Sequence, residues 1–515
     1  MTRRQLVLWA AVWGVFAAVA AWRSPIPGVN EPHYLCKAKH FSDPSWCAGD
    51  FFVASANVHW VFYAIFGPLT RVLSFEQTAW TGRLLEWGLL AFGWVRLVSR
   101  IAPGSWSPLW SAILFAALQS TVNLSGEWLI GGTEAKVFSY AALLVAIAAA
   151  GDAAWIEAGA ATGVAISFHP VVGVWGLAAL AAGSFAGPPV LAVRNDNAEG
   201  LKRPFDSSRN ARSHLSGAAL CFLLSLPGLI PAITILANRP AAESARIADV
   251  DQVFYRLKHH LDPAEFTMPA WLSYAGLLVV WLALRRFVER NAAERFFARF
   301  TLASLVIAGG GLVAGFWLRS AALMKFYPFR LIDLFLPIAV SIAGAGLLEQ
   351  RLARTPAGRQ PAARAFGHAL ACAALAWSLL APGRFENPAR WPPDRWNDFV
   401  DACRWIERHT PPDAVFLTPK DNVGFKWYAQ RAEYFTWKDC PQDAAGVLEW
   451  ARRHNRVIRW VPRPATGPIS KSALVAIRQD TDVGYILSLG AAPEAGKAVY
   501  ANASFSVTFI LPARE

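Results

Sequence analysis

Charge is scarce in this chain. Asp, Glu, Lys and Arg make up 17% of its 515 residues, against 55% apolar residues that fall in blocks of span length. That balance excludes a soluble multidomain protein. Catalytic signatures are missing as well. The sequence holds no phosphate-binding glycine loop, no zinc-finger spacing and no nucleophile elbow. The Gly309-Gly310-Gly311 run lies inside an apolar block, where small residues let helices pack closely. There are no internal repeats and no low-complexity linker. A formal charge of +13 would point to nucleic acid in a soluble protein. Here many basic residues sit between apolar blocks, which is a topology pattern, and no nucleic-acid partner is expected.

What the chain does have is length enough in each block to cross a bilayer, which takes roughly 20 apolar residues. Inside lipid every backbone N–H and C=O must pair within its own segment, so each block must be a helix. Eleven spans are expected: 5–22, 78–98, 107–122, 136–150, 153–168, 171–187, 214–236, 271–286, 299–318, 330–348 and 366–382. The first reads as an uncleaved span rather than a signal peptide, because Trp22, Arg23 and Pro25 crowd its exit. Many Trp residues lie at block edges, as interfacial anchors do.

Arg3 and Arg4 place the N-terminus in the cytoplasm. Alternation then puts three basic groups inside: Arg194, Lys202, Arg203, Arg209 and Arg212; Arg285, Arg286, Arg290, Arg295 and Arg299; and Arg351, Arg354, Arg359 and Arg364. An odd span count leaves the C-terminal end outside. The expected architecture is an α-helical polytopic membrane domain, 1–382, with long outer loops at 23–77 and 237–270. A soluble extracytoplasmic α/β domain, 383–515, follows.

In the first loop, Phe51 to Leu73 reads as helices on the membrane surface. In the tail, Asn397–His409 and Asp443–His454 read as helices. Ala414–Thr418, Glu433–Trp437, Gly484–Leu489, Ala498–Ala501 and Phe505–Leu511 read as strands. Cys36 and Cys47 share the first outer loop, and Cys403 and Cys440 share the tail. One disulfide in each segment is the simplest of three possible pairings, in an oxidising compartment.

The unusual polar groups collect at the outer face. They are Asn30-Glu31-Pro32-His33-Tyr34-Leu35, Cys47 to Phe52 with Asp50, Arg83 and Glu86, and Gly131 to Lys136 with Glu134. His169-Pro170, His259-His260, and Lys325 to Arg330 with Asp333 one turn deeper complete the set. Ionisable groups at membrane depth are costly and are functional candidates by default. Plainer roles compete. Arg83 and Glu86, three apart, suit a pair on one helix face. Lys325 and Arg330 suit snorkelling to headgroups. His259 and His260 suit water, and His169 suits a turn cap.

A first span, a large outer loop with an acid just past it, many further spans and a soluble outer domain resemble the GT-C superfamily of membrane glycosyltransferases. Asn30–Leu35, Trp46–Phe52 and Trp405–Pro419 also resemble an uncharacterised family of bacterial multi-span proteins with that layout. The superfamily resemblance implies transfer of a sugar from a polyprenyl-phosphate carrier to an acceptor at the outer face of a bacterial plasma membrane. It implies that Glu31 is the acid that deprotonates the acceptor or holds a divalent cation (Mg or Mn), with Asp50 as a second acid. The Asp-Glu or Asp-x-Asp pair of many members is not present. Arg330, Lys325 or Arg83 would meet the carrier phosphate. His33, Glu134, Lys136, His169 and His260 would complete the binding surface. Glu31 and Asp50 are expected to meet at the mouth of a cavity with Arg330 on its wall. Two other readings fit the same layout: a transporter or flippase for a lipid-linked or polar solute, and a non-catalytic protein of envelope assembly.

Overall fold

A computed structural model describes residues 2–185, 207–384, 386–461, 468–490, 492–494 and 497–510. The expected basic positions Arg194, Lys202 and Arg203 and the strand end Leu511 lie outside the described residues.

Every apolar block forms a helix. Helix α1 (Arg3–Arg23) starts at a Thr2–Gln5 capping box. α2 (Glu31–Ser42) and α3 (Trp60–Val72) fill the first loop and pack on each other. α4 (Phe75–Ile101) opens on a Ser74–Gln77 capping box. α5 (Ser107–Gln119), α6 (Ala135–Gly151), α7 (Trp155–Phe168), α8 (Pro170–Phe185) and α9 (Ser207–Ala237) follow. α10 (Ala242–Val250) runs into a π-turn at Asp251–Arg256, then α11 (Lys258–Leu261). α12 (Met268–Leu284), α13 (Ala292–Leu312), α14 (Ala321–Met324), α15 (Arg330–Arg354) and α16 (Gln360–Leu380) complete the bundle.

Among the described residues, five helical segments are long and apolar enough to cross a membrane: Arg3–Arg23, Ala211–Ala237, Ala292–Trp317, Arg330–Arg354 and Ala357–Leu380. Shorter apolar helices accompany them. Their outward faces are apolar: Phe222 and Ile233 on α9, Val279 on α12, Val306 on α13 and Leu380 on α16 are all more than half exposed. Water would penalise such a belt, whereas lipid tails do not. α15 is buried almost throughout and forms the axis of the bundle.

Close approach by small residues sets the α7–α9 contact. A Cβ on Gly159 would lie 2.0 Å from the Gly217 carbonyl oxygen, and one on Gly228 2.2 Å from that of Ser167. The Gly309–Gly311 run behaves differently from expectation. Only Gly311 faces a neighbour, Pro328, while Gly309 and Gly310 have open space beside them.

The tail holds α17 (Pro393–His409), β1 (Val415–Leu417), α18 (Phe425–Ala429), β2 (Ala432–Glu433), α19 (Ala444–Trp460), α20 (Lys471–Asp480), β3 (Val483–Leu489), β4 (Lys497–Ala501) and β5 (Phe505–Phe509). The sheet order is β2-β1-β3-β5-β4, with β1 parallel to β2 and β3, and β5 antiparallel to β3 and β4. One apolar cluster joins α17, α18 and the sheet, and a second joins α19, α20 and the sheet. The sequence reading missed α20 and made β2 too long.

The tail is docked on the first loop. Trp427 stacks on Phe75 at 4.8 Å and donates to Glu76 at 2.9 Å. Trp427 and Ala432 belong to the same apolar cluster as α2 and α3. The first loop is thus sandwiched between the bundle and the tail.

The expected disulfides are not formed, and all six cysteines are free thiols. Cys403 sits on the buried face of α17, in the cluster of Phe399 and Phe505, whereas Cys440 packs at the edge of the other cluster. Cys36 and Cys47 share the apolar core of the first loop. Burial pushes both thiols up, which disfavours the thiolate that disulfide exchange needs. Purified protein unfolded in detergent without reductant should therefore take up six maleimides per chain by intact mass. Uptake of four or two would restore the disulfide reading.

Candidate functional site

At one end of the bundle, under the tail, lies a cavity of about 1080 Å³. Four sources build its wall, the first being the loop after α1, which supplies Asn30, His33 and His59. The bundle supplies Glu127, Glu134, Lys136, His169 and Arg330; the middle loop supplies Asp249, Arg256 and His260; the tail supplies Lys438 and Cys440. Seven of the residues expected to bind substrate line it: His33, Glu134, Lys136, His169, His260, Lys325 and Arg330. Arg83 does not.

Most cations on the wall are already matched. Arg330 Nε lies 3.0 Å from Glu127 Oε2, and its Nη1 lies 3.0 Å from His169 Nε2. Lys136 bridges Glu127 at 3.5 Å and Glu134 at 3.2 Å. Lys325 lies 2.9 Å from Asp249, which also accepts from Arg239 at 2.7 Å. Asn30 donates to Glu134 at 2.6 Å and accepts from Lys438 on its other side. Burial raises Glu134 above the ordinary carboxylate range, even with Lys136 beside it.

Asp333 sits behind the wall. Its carboxylate accepts from the backbone N–H groups of Leu124, Ser125 and Glu127 at 2.7–2.9 Å, which fixes the loop that presents Glu127. His260 closes on the same loop through the Ser125 carbonyl, and any Cβ on Gly126 (φ 81°) would strike its ring.

Arg256 and Lys438 face no carboxylate among the described residues. Arg256 donates to the Lys438 carbonyl at 2.9 Å and lies over the rings of Trp437 and Trp450, but its buried Nε has no partner among the described residues. Lys438 Nζ has the Asn30 amide oxygen and no carboxylate within ion-pairing distance among the described residues. Burial, with Arg256 nearby, brings the Lys438 ammonium down to about 8. Both line the cavity, whose wall also includes an apolar stretch from α8 and α9.

The two expected acids are placed elsewhere. Glu31 is fully buried and saturated. Arg83 grips it through Nε at 2.6 Å and Nη2 at 2.8 Å, and the N–H groups of Gly28 and Thr133 donate at 2.6 and 2.9 Å. Arg83 also donates to the Ser24 and Pro25 carbonyls. The pair clamps the chain after α1 to the loop before α6, and Arg83 does not pair with Glu86. Asp50 caps Phe52 and Val53, accepts from the Glu433 N–H at 3.0 Å, and lies 3.1 Å from Lys426. Neither acid lines the cavity, so they do not meet at its mouth. Their oxygens already face cations and N–H donors, so neither fits a divalent cation. Among the described residues no group of three or more His, Cys, Asp or Glu has the arrangement of a metal site.

Asp50 reaches the cavity only through a chain of partners. Lys426 lies 2.8 Å from Glu433 and 2.7 Å from Asp439, and Asp439 Oδ1 lies 3.0 Å from His33 Nδ1. Burial alone would raise Asp439, but Lys426 and His33 hold it well below the ordinary carboxylate range. His33 itself lines the cavity against Phe52, 4.4 Å between ring centres.

Arg256, Lys438, Asp439, Glu127 and Asp249 were missed by the sequence reading. The Trp437-Lys438-Asp439-Cys440 run was the available signal, since two charges flanked by Trp and Cys just past an expected strand are unusual for a solvated segment.

Residues 397–457 match a family model described as a domain of unknown function, DUF6798. The match runs from α17 into α19 and includes Lys426, Glu433, Lys438 and Asp439. No curated protein matches the chain.

Proposed function

We propose that the protein is a membrane glycosyltransferase of GT-C-like layout that moves a sugar from a polyprenyl-phosphate carrier to an acceptor at the outer face of a bacterial plasma membrane. The observation that carries this reading is the pairing of two surfaces in one cavity. Val174 on α8 and Ile233 and Leu236 on α9 line it and are also open to the surroundings of the bundle, as an isoprenoid tail entering from lipid requires. The same cavity is lined by Arg256 and Lys438, which face no carboxylate among the described residues. Two adjacent cations repel each other, and a phosphate between them replaces repulsion by charge-assisted hydrogen bonds. An anionic amphiphile satisfies both surfaces at once. Glu127 and Glu134 stand on the same wall, where carboxylates help a cationic, oxocarbenium-like transition state.

The reading includes eleven crossings, with the N-terminus in the cytoplasm and the tail outside. Its support is that a helix forms at each expected span and that the basic clusters at Arg285–Arg299 and Arg351–Arg364 fall between helices or at their ends.

Native mass spectrometry of the full chain in nanodiscs, titrated with polyprenyl phosphate, tests it. The wild type should bind, and Arg256→Gln and Lys438→Met should each weaken binding by about 1.5–3 kcal/mol, the worth of a hydrogen bond to a charged group. A wild type that binds the carrier phosphate no better than a neutral polyprenol would end this reading.

A further inference from the structure

Among the described residues, His33 is the histidine on the cavity wall that is backed by a carboxylate. Its Nδ1 lies 3.0 Å from Asp439 Oδ1. Asp439 is in turn fixed by Lys426 at 2.7 Å, in a cluster that is almost completely buried. A carboxylate accepts and does not donate, so the imidazole must carry its proton on Nδ1. Nε2 is then left bare, and it has no hydrogen-bond partner among the described residues. The competing carboxylates sit in ion pairs, although Glu127 Oε1 accepts no hydrogen bond among the described residues. Glu134 accepts from Asn30 and faces Lys136, and Glu127 faces Arg330 and Lys136.

We infer that His33, oriented by Asp439 of the docked tail, is the general base that takes the proton of an acceptor hydroxyl in the cavity. The inference rests on the transferase reading above and adds to it the identity of the base and a reason for the tail. The acceptor oxygen forms a bond to the anomeric carbon. The bond from that carbon to the carrier phosphate breaks, and its electron pair leaves on the phosphate. The acceptor proton passes to His33 Nε2 and from there to water. Lys438, the residue before Asp439, faces the departing phosphate, so one turn of the tail serves both ends of the exchange. Asp439 is a positioning residue, and its part is to hold the tautomer.

The groups facing His33 are Asp439, Lys438, Lys37 and His59. Burial lowers His33 from its ordinary value, although Asp439 pulls it up. The neutral base is therefore present at neutral pH, and the rate should fall only as pH drops through the His33 titration.

The test has two arms. The first is ¹⁵N NMR of histidine-labelled full chain in nanodiscs at pH 7.5, with His33 assigned by its loss in His33→Gln. Nδ1 should be protonated and Nε2 bare, and Asp439→Asn should reverse or mix that pattern. A protonated Nε2 in the wild type overturns the inference. The second arm measures release of polyprenyl phosphate from a panel of polyprenyl-phosphate sugars in the presence of membrane extract. His33→Gln should slow release by about 10²–10⁴-fold while leaving polyprenyl-phosphate binding within twofold. Asp439→Asn should move the acid limb of the pH profile. Full release by His33→Gln overturns the base and leaves the lipid-phosphate reading standing. A wild type that does not bind the carrier removes that reading, and the inference with it, whatever the tautomer.

Discussion

Arg83→Met should destabilise the protein by about 3–5 kcal/mol, the cost of leaving a buried carboxylate without its cation. Glu31 and Arg83 both have fully buried side chains, and each uses its whole hydrogen-bonding edge on the other and on nearby backbone. Methionine removes the cation and keeps most of the volume, so packing is a minor part of the loss. Glu31→Gln should also destabilise, because its amide nitrogen would face a guanidinium or a backbone N–H where an acceptor is needed. The double variant Glu31→Met with Arg83→Met should recover much of the loss, since a buried pair replaced by apolar groups is often near neutral. Tryptophan-fluorescence unfolding in mild detergent, with the single Glu31→Met variant added, reads all four points of the cycle. If Arg83→Met costs under about 1 kcal/mol, as an exposed pair would, Glu31 is not locked, and it returns as a candidate catalytic acid.

That contrast shows where the sequence was legible. An apolar block must become a helix in lipid whatever surrounds it, so the helices of the bundle could be read locally. The collection of polar motifs at one end could also be read, since alternation of spans fixes which loops share a side. Partners could not be read. Glu31 stands where a catalytic acid of the resembled superfamily would stand, and Arg83, 52 residues on, turns it into a clamp. His33 is in the same motif, and its partner Asp439 lies 406 residues away, between the expected strand Glu433–Trp437 and the expected helix Asp443–His454. Pairings over such separations depend on how the tail docks, and nothing in local periodicity encodes that. The unmatched state of Arg256 and Lys438 is likewise visible only once the acids taken by Lys136, Lys325 and Arg330 are known.

Lys426→Met should have the largest effect on the tail. The Lys426 ammonium lies within 2.7–3.1 Å of Asp439, Glu433 and Asp50, and all four side chains are buried or nearly so. Burial alone would lower its pKa, but Asp439, Asp50 and Glu433 together hold it well above the ordinary lysine range. Removing it leaves three carboxylates with no cation between them, at a cost of about 3–5 kcal/mol for the first unpaired charge. Asp50 and Glu433 also join the first loop to β2, so the loss should appear as undocking of the tail, read by limited proteolysis between the bundle and α17. The pH dependence separates this cause from a packing defect. In the wild type Asp439 is held below its unfolded value, so its contribution is complete above about pH 4, the unfolded aspartate value, and is lost only as pH falls further. In Lys426→Met the burial that raises Glu433 and Asp439 is no longer opposed by that cation, so the folded form gains stability as pH falls and loses it as pH rises. The deficit of the variant should therefore be larger at pH 8 than at pH 5. A deficit that is equal at both pH values would mean that the methyl-capped chain simply packs badly. In that case the cluster would not be what holds Asp439 against His33.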